Sequence, residues 1–419
     1  MHPLPIDVIS AVLFAAALLH TFAAKPIQRL SQRFPSHAGL FHLLGEVEVI
    51  FGFWALVLIG TMAIVFGVDG AIDYAESRDF TEPLFVFVIM VVAGSRPVLS
   101  AVLSLVTIAE RAVPLPRSLA RAWIGLAAVP LMGSLVTEPA AMTIGAMLLA
   151  PLAFRHDMPE PPKYFALGVL FVNVSIGGTL SAFAAPPVLM VAETWDWSSG
   201  FMAAVFGWKA AAAVIVNASA AAFVLRKFLV TAPSDEKQAV KAPVPWTVII
   251  IHLVLLVGII VMAHHKVVFM GLFLLFLGIA HAYERHQSPL LIREALLVAF
   301  FLAGLVVLGG LQRWWLQPAV SNLSALELFF GAMGLTAIVD NAALTYLGSQ
   351  IQDLSDLAKY MLMAGAVAGG GLTVIANAPN PAGMALLKEG FADKSVGAGA
   401  LLLGAVIPTA VAAVAFLML

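Results

Sequence analysis

Long apolar segments dominate this sequence and limit the folds that it can adopt. A helix that crosses the hydrocarbon core of a membrane needs about 20 mostly apolar residues. Only 11% of the residues are charged, against about 25% in an average soluble domain, which is too few to cover a water-exposed surface of this size. The sequence therefore predicts an all-α integral membrane protein. Twelve segments have about the required length, at 6–24, 44–67, 81–108, 119–152, 164–191, 199–225, 246–263, 267–283, 290–311, 323–349, 358–387 and 397–419.

Two of these segments, 119–152 and 323–349, have a polar break near the middle. We interpret both as re-entrant hairpins that enter and leave the membrane on one side, and the other ten as transmembrane helices. The basic residues favour this topology, because 16 of the 22 Lys and Arg residues then fall on the inner side and four on the outer side, as the positive-inside rule requires. The topology predicts a bacterial-type inner (plasma) membrane protein with both termini on the external, periplasmic side.

The chain divides into two halves of similar plan. A polar, Pro-containing stretch at 226–245 is predicted to be a cytoplasmic linker between residues 1–225 and 246–419. Five crossings in each half is an odd number, so the second half is predicted to be inverted relative to the first, as in many secondary transporters. The first half contains scaffold helices within 6–108, the hairpin at 119–152, a broken helix at 164–191 and a final helix at 199–225. The second half has its hairpin at 323–349 and its broken helix at 358–387.

Matching motifs support this repeat. The stretch GGTLSAFAAPPV at 177–188 aligns with GGGLTVIANAPN at 369–380, at a constant offset of 192. In the hairpins, VTEPAA at 136–141 lies opposite IVDNAA at 338–343. Each half therefore combines one intramembrane carboxyl group, Glu138 or Asp340, with a Gly- and Pro-rich break in the next helix.

These motifs suit the binding of a small cation or a proton. Unwound backbone is tolerated within a membrane only where protein buries it or where it lines a wet cavity, and intramembrane acids usually have a function. A buried carboxyl group holds a cation when it is ionised and a proton when it is neutral. The predicted binding residues are Glu138, Asp340, Thr137, Thr179, Ser181, Thr373 and Asn377. The predicted supporting residues are Asn173, Ser175, Asn380, Arg96, Gly177, Gly178, Gly370 and Gly371.

Structural explanations are open for the same residues. Glu138 and Asp340 could cap the N-termini of half-helices at the hairpin tips, and the glycines could allow close helix packing. Arg96 could pair with one of the two carboxyl groups or with backbone carbonyls.

The two hairpins and two breaks resemble those of the ion transporter superfamily. This superfamily includes NhaD-type sodium/proton antiporters, arsenite carriers and divalent-anion/sodium symporters. The resemblance extends over nearly the whole chain and is closest to the antiporters, because Asp340-Asn341 matches the Asp-Asn pair that they carry. The first hairpin departs from the pattern with Glu138-Pro139, and neither hairpin has the Ser-Asn-Thr signature of dicarboxylate symporters.

The resemblance implies that Asn341 joins the binding residues and that sodium binds at Glu138 and Asp340. It also implies a homodimer whose hairpin-bearing parts move in an elevator-like manner. We therefore expect exchange of sodium, or another monovalent cation, for protons. An ion-coupled carrier of a small anion of the arsenite, citrate or sulfate type is the alternative.

An enzyme is disfavoured by sequence, because the chain has no HExxH or GxSxG motif and no cysteine. No cofactor is expected, and the net charge of −2 without a basic tract disfavours nucleic acid as a partner. The expected partners are the cation, protons and membrane lipid.

Overall fold

A computed structural model describes residues 5–229 and 243–419, and this part of the chain is helical with no β-strand. Residues 230–242, most of the predicted linker, lie outside the described residues. The first half contains α1 (Pro5–Arg33), α2 (Ala38–Leu44), α3 (Val47–Glu76), α4 (Thr81–Ala93), α5 (Arg96–Ala112), α6 (Arg117–Leu126), α7 (Ala128–Val136), α8 (Glu138–Ala153), α9 (Glu160–Gly177), α10 (Pro186–Ala192), α11 (Ser199–Met202) and α12 (Trp208–Leu229). The second half contains α13 (Trp246–Val261), α14 (Lys266–Ala282), α15 (Ile292–Gly309), α16 (Arg313–Val320), α17 (Ala325–Thr336), α18 (Asn341–Ser349), α19 (Asp356–Gly369), α20 (Asn380–Leu387) and α21 (Ala398–Met418).

Six helical segments in the described part of the chain are long and apolar enough to cross a membrane. They are Pro5–Ala24, Val47–Glu76, Glu160–Leu180, Ser199–Leu229, Ile292–Gly309 and Ala398–Met418. Two bent pairs, α4 with α5 at 64° and α6 with α7 at 42°, raise the number to eight if each pair is one span. The apolar helices α13 and α14 are shorter, at 16 and 17 residues. The prediction of an all-α membrane protein is confirmed, whereas the number of ten transmembrane helices stays a prediction.

One apolar segment extends further than expected. The segment predicted at 44–67 forms α3, which continues to Glu76 although its backbone is not helical at Gly67, where φ is 85°. The polar end of this helix is held against α15, because the Tyr74 hydroxyl donates a hydrogen bond to the Val307 carbonyl at 2.6 Å. Apolar length alone could not predict this extension, since it depends on a contact between distant helices.

Both hairpins and both interrupted helices have distinct breaks. The first hairpin turns between α7 and α8, and the second between α17 and α18. Helix α9 ends at Gly177, and the chain resumes a helix only at Pro186; likewise α19 ends at Gly369, and α20 begins at Asn380. Helix α10 packs against α18, and α20 packs against α8. The second segment of each interrupted helix therefore contacts the hairpin of the other half.

The buried apolar side chains of the described residues form two clusters, and α6, α8 and α10 contribute to both. The scaffold cluster contains side chains from α1, α3, α4, α5, α13, α14 and α15. The hairpin cluster contains side chains from α6, α8, α9, α12, α19 and α21. Each cluster therefore takes helices from both halves of the chain. The hairpins also reach the scaffold cluster, through Ala140 and Ala141 in α8 and Ala342 and Ala343 in α18.

The scaffold depends on close approach of α3 and α15, which gives a test of the packing. A Cβ atom at Gly304 would collide with the backbone of Gly52, whereas one at Gly60, also in α3, would meet no atom within 4 Å. We expect Gly304→Ala to destabilise the protein by about 1–3 kcal/mol, as overpacking commonly does. Gly60→Ala should leave stability unchanged or slightly raised. Thermal unfolding of the two variants in detergent measures the difference, and equal midpoints would disprove the close approach.

Candidate functional site

The first hairpin turns at Thr137, between α7 and α8. Thr137 has a φ of 137°, a backbone conformation that residues with a branched β-carbon rarely adopt. Glu138 is the first residue of α8, and Pro139 follows it, at a position where its missing N–H costs no helical hydrogen bond. The Glu138 side chain is fully buried, with 0% exposure. The hairpin tip therefore holds an acidic group away from water.

The Glu138 carboxyl group is contacted by an amide from the other half of the chain. Asn377 Nδ2 donates a hydrogen bond to Glu138 Oε2 at 2.9 Å. Within the described residues, the other carboxyl oxygen, Glu138 Oε1, is buried without a hydrogen-bond partner, as are Asn377 Oδ1 and Thr137 Oγ1. Since buried polar atoms are normally hydrogen-bonded, three such oxygens in neighbouring residues indicate a place for a proton or a cation.

The first break encloses this carboxyl group with backbone. A Cβ atom at Gly178 would lie 2.5 Å from Glu138 Oε1, so only glycine fits against the carboxyl group. The Glu138 N–H points to the Ala184 carbonyl, with a long N···O distance of 3.4 Å. Glu138 is thus bordered by residues on both sides of the unwound segment.

Ser134 ties the first break to the hairpin. Its hydroxyl group donates to the Gly177 carbonyl at 2.7 Å and accepts from the Leu180 N–H at 2.9 Å. The Ser181 hydroxyl donates in turn to the Ser134 carbonyl at 2.7 Å. Ser134 is buried in α7, four residues before Glu138. These three bonds fix the unwound backbone beside the hairpin tip.

Asp340 has a different environment from Glu138, although the sequence places the two at equivalent positions. One oxygen of Asp340 accepts hydrogen bonds from the N–H groups of Ala342 at 2.8 Å and Ala343 at 3.3 Å, so the residue caps α18. The Asp340 side chain is half-buried. The capping explanation therefore holds for Asp340, whereas Glu138 makes no side-chain cap at α8.

Amide and hydroxyl groups surround the second break. Asn380 Nδ2 donates to the carbonyls of Gly370 at 2.8 Å and Thr373 at 2.9 Å. Asn341 Nδ2 lies 3.5 Å from Ser175 Oγ, and the Ser175 hydroxyl donates to the Val367 carbonyl at 2.8 Å. Asn341 Oδ1 and Asn380 Oδ1 are buried without a partner among the described residues. The structure thus brings Asn341, Ser175, Gly370 and Asn380 together.

The hydroxyl groups of the breaks donate to backbone carbonyls. Thr179 donates to Ile176 at 2.7 Å within its own turn. Thr373 donates to Ala337 at the end of the second hairpin's first helix, at 2.8 Å. This bond corresponds to the one from Ser181 to Ser134 in the first half. Each break is therefore fastened to its own hairpin by a hydroxyl group at the equivalent position.

The remaining predicted residues have packing or bonding roles further from Glu138. Asn173 Nδ2 donates to the Leu126 carbonyl, and its Oδ1 accepts from Asn217, a buried residue that sequence reasoning missed. Gly177 packs against the Pro130 backbone, and Gly371 against Val172. Arg96 is half-buried at the first position of α5, beside the 64° bend.

A third carboxyl group, from the scaffold, lies near those of the two hairpin tips. The negative charges of Asp340 and Glu138 repel each other. Those of Asp340 and Glu48, in the first turn of α3, also repel each other. The neighbouring Glu46 forms an ion pair with Arg293 at the start of α15. The scaffold thus adds an acidic group, Glu48, that sequence analysis did not include in the site.

Two residues that the sequence analysis missed, Ser134 and Thr336, have equivalent positions in the two hairpins. Ser134 and Thr336 each lie four residues before the hairpin carboxyl group of their half, and both are buried. The turn of each hairpin separates the hydroxyl group from that carboxyl group, so a helical spacing does not predict the contact of either residue with its break. Thr336 Oγ1 has no hydrogen-bond partner among the described residues, unlike the hydroxyl group of Ser134.

The sequence was compared with known protein families, and one family matches nearly the whole chain. Residues 5–419 match the family described as "Putative Na+/H+ antiporter". The chain belongs to this family. The match supports a transporter of monovalent cations and protons, and it does not single out the NhaD-type antiporters, so that subtype stays a prediction. No curated protein gives a significant match to the chain.

The role of Ser134 can be tested by removing its hydroxyl group. Ser134→Ala leaves the Gly177 carbonyl and the Leu180 N–H without their partner, and each lost bond costs about 1–3 kcal/mol when the remaining group stays buried. We expect the sodium concentration for half-maximal proton movement in inverted vesicles to rise about tenfold. Ser134→Thr, which keeps a hydroxyl group as Thr336 does, should restore most of the affinity.

Ser104→Ala is the matched control, because the Ser104 hydroxyl group bonds only within α5, to the Ser100 carbonyl. Equal effects of Ser134→Ala and Ser104→Ala on half-saturation would show that Ser134 does not position the site.

Proposed function

We propose that this member of the antiporter family exchanges sodium, or another small monovalent cation, for protons, and that Glu138 is the group that binds them in turn. The observation that supports this proposal is the fully buried carboxyl group of Glu138, with one oxygen bonded to Asn377 and the other without a partner among the described residues. An uncompensated charge is costly in such a place. Glu138 therefore carries a proton, or its carboxylate binds a cation.

Exchange follows because Glu138 binds either a proton or a cation, but not both at once. When Glu138 is protonated, the carboxyl group is neutral and stable in its buried position. A sodium ion that displaces the proton is held by the carboxylate, with Thr137 Oγ1 and Asn377 Oδ1 as further oxygen ligands of the kind that hard cations prefer. Both of these oxygens are buried without a partner among the described residues. One proton leaves for each sodium ion bound at Glu138.

Asp340 has a supporting role in this proposal. Its bonds to two N–H groups of α18 engage one carboxylate oxygen, and its negative charge favours a cation at Glu138. The second carboxylate oxygen of Asp340 and the side chain of Asn341 are suited to an additional contact with a cation at the tip of the second hairpin. Carboxyl, amide and hydroxyl oxygens are the groups that both tips present, and they suit a cation better than the anion of the alternative function.

We also propose the inverted repeat and the two re-entrant hairpins. Two pairs of equivalent contacts support the repeat. Gly177 and Gly369 each pack against the backbone of the first helix of their hairpin, at Pro130 and Met333, and Ser181 and Thr373 each bond to the end of that helix. Residues 1–225 and 246–419 are the proposed repeat units.

The proposed movement is elevator-like, with the helices of the hairpin cluster sliding along those of the scaffold cluster. The presence of two apolar clusters supports it, with the hairpins and α10 forming the contact to the scaffold cluster. A homodimer, a bacterial inner-membrane location and external termini complete the proposal, and the distribution of Lys and Arg supports the orientation.

The proposal is tested by proton-gradient dissipation in inverted vesicles after sodium or lithium is added. Glu138→Gln should abolish the response, because an amide cannot release a proton. Asp340→Asn should lower it only a few fold, since asparagine caps a helix nearly as well as aspartate. Glu327→Gln is the control, because Glu327 is exposed and belongs to a capping box that glutamine also forms. A sodium response that survives Glu138→Gln refutes the proposed role of Glu138.

A second variant tests the contact between the two halves. Asn377→Ala removes the hydrogen bond to Glu138, and a bond to a charged group contributes about 1.5–3 kcal/mol. The sodium concentration for half-maximal exchange should therefore rise about tenfold or more. Asn322→Ala, at an exposed position, should leave it unchanged. Similar half-saturation values for the two variants would mean that Asn377 is not a ligand.

A further inference from the structure

A cavity of about 430 Å³ lies between the first break and the turn that joins α13 to α14. Ala182 and Phe183 of the break form one wall, and Ala263 and His264 of the turn form the opposite wall. Glu193 and His264 are 57% and 66% exposed, so the mouth of the cavity reaches the surface of the protein. The cavity thus separates residues of the hairpin-bearing part from residues of the scaffold.

The unwound segment of the first break is shared by this cavity and the surroundings of Glu138. Ala182 and Phe183 are half-buried and line the cavity, whereas the next two residues, Ala184 and Ala185, are fully buried. The Glu138 N–H points to the Ala184 carbonyl. The same unwound segment therefore lines the cavity at Ala182 and Phe183 and contacts Glu138 at Ala184.

Phe183 lines the cavity and contacts the scaffold. Its side chain packs against the scaffold cluster, while the Ala182 N–H beside it donates to Ser199 Oγ at 3.2 Å. These contacts hold the segment across the path from the cavity to Glu138.

The charges around the cavity favour cations. Glu193 and Asp196 line it, and Glu82 borders a small side pocket that shares Glu193 and His264 with it. His264 Nδ1 lies 3.9 Å from a Glu193 oxygen. Among the described residues that line the cavity, His264 is the one whose side chain can become positive. A cleft lined by one sign of charge concentrates the opposite ion. Sodium should therefore be enriched here over chloride.

We propose that this cavity is the water-filled vestibule through which the transported monovalent cation reaches Glu138 from the side of the 193–199 turn. Glu193 and Asp196 concentrate the cation, and the segment at Phe183 is the barrier between the vestibule and the ion site. The proposal rests on the function proposed above and adds the access route and the residues that select the charge of the ion. An apolar acyl chain in the cavity is the competing occupant.

The chain has no native cysteine, so single cysteines report directly on access. Ala182→Cys and Ala263→Cys place one thiol on each wall, and Ser321→Cys, at an exposed position outside the cavity, is the reference. The purified protein in detergent is treated with methanethiosulfonate reagents that carry either a trimethylammonium or a sulfonate group. We expect both cavity thiols to react, with a cationic-to-anionic rate ratio at least about threefold above that of the reference.

The acids are tested in the same experiment. The double variant Glu193→Gln, Asp196→Asn should lower the cationic-to-anionic rate ratio at both cavity thiols to the value of the Ser321→Cys reference. High salt should have the same effect, because it screens exposed charges. Thiols that react with neither reagent, as under an acyl chain, overturn the proposal. So does an equal rate with both reagents, or a preference that survives removal of both acids.

Transport measurements separate this proposal from the proposed function. In right-side-out vesicles at low ionic strength, where added sodium meets the side of the 193–199 turn, the double variant should raise the sodium concentration for half-maximal exchange about threefold, with a smaller effect at saturating sodium. A preserved preference for the cationic reagent without sodium-driven proton movement would refute the exchange function and leave the vestibule standing. Exchange with unreactive or unselective cavity thiols would refute the vestibule alone.

Discussion

The arrangement of both breaks depends on the absence of water in the hydrocarbon core, because every backbone N–H and C=O group released from a helix there needs a partner in the protein. Polar side chains supply these partners. Ser134 bonds to the Gly177 carbonyl and the Leu180 N–H, and Asn380 bonds to the carbonyls of Gly370 and Thr373. The unwound segments are therefore held by specific hydrogen bonds. The buried oxygens that have no hydrogen-bond partner among the described residues, above all Glu138 Oε1, are the ones that suit a mobile ion.

Two equivalent carboxyl groups have thereby acquired different surroundings. Asp340 lies where it can accept bonds from the first N–H groups of α18, so its charge is stabilised by the start of a helix. Glu138 has a longer side chain and is followed by Pro139, and its carboxyl group faces Gly178 and Asn377 instead. A symmetric sequence pattern thus leads to an asymmetric pair, with one anchored group and one group suited to changing its occupant.

The sequence predicted the features that depend on local composition. Apolar length indicated the helices, Gly and Pro indicated the breaks, and an acid within an apolar segment indicated Glu138. The partner of Glu138 had no such signal, because Asn377 is 239 residues away. Nothing in the spacing separates Asn377 from Asn380, whose amide bonds to backbone carbonyls. The role of Asp340 as a cap, the extension of α3 and the contribution of Ser134 likewise depend on contacts that only the packed helices create.

The bond between Glu138 and Asn377 has a consequence for how the protein is made. Glu138 lies in the first half and Asn377 near the end of the second, so the ribosome delivers the acid to the membrane long before its amide partner exists. Helices α10 and α20, which each pack on the hairpin of the other half, can take their places only after synthesis is nearly complete. Until then, the first hairpin has to be accommodated with its acid protonated or hydrated. Assembly of the candidate ion site is therefore a late step in biogenesis, and truncated chains that insert correctly would still lack the contact between Glu138 and Asn377.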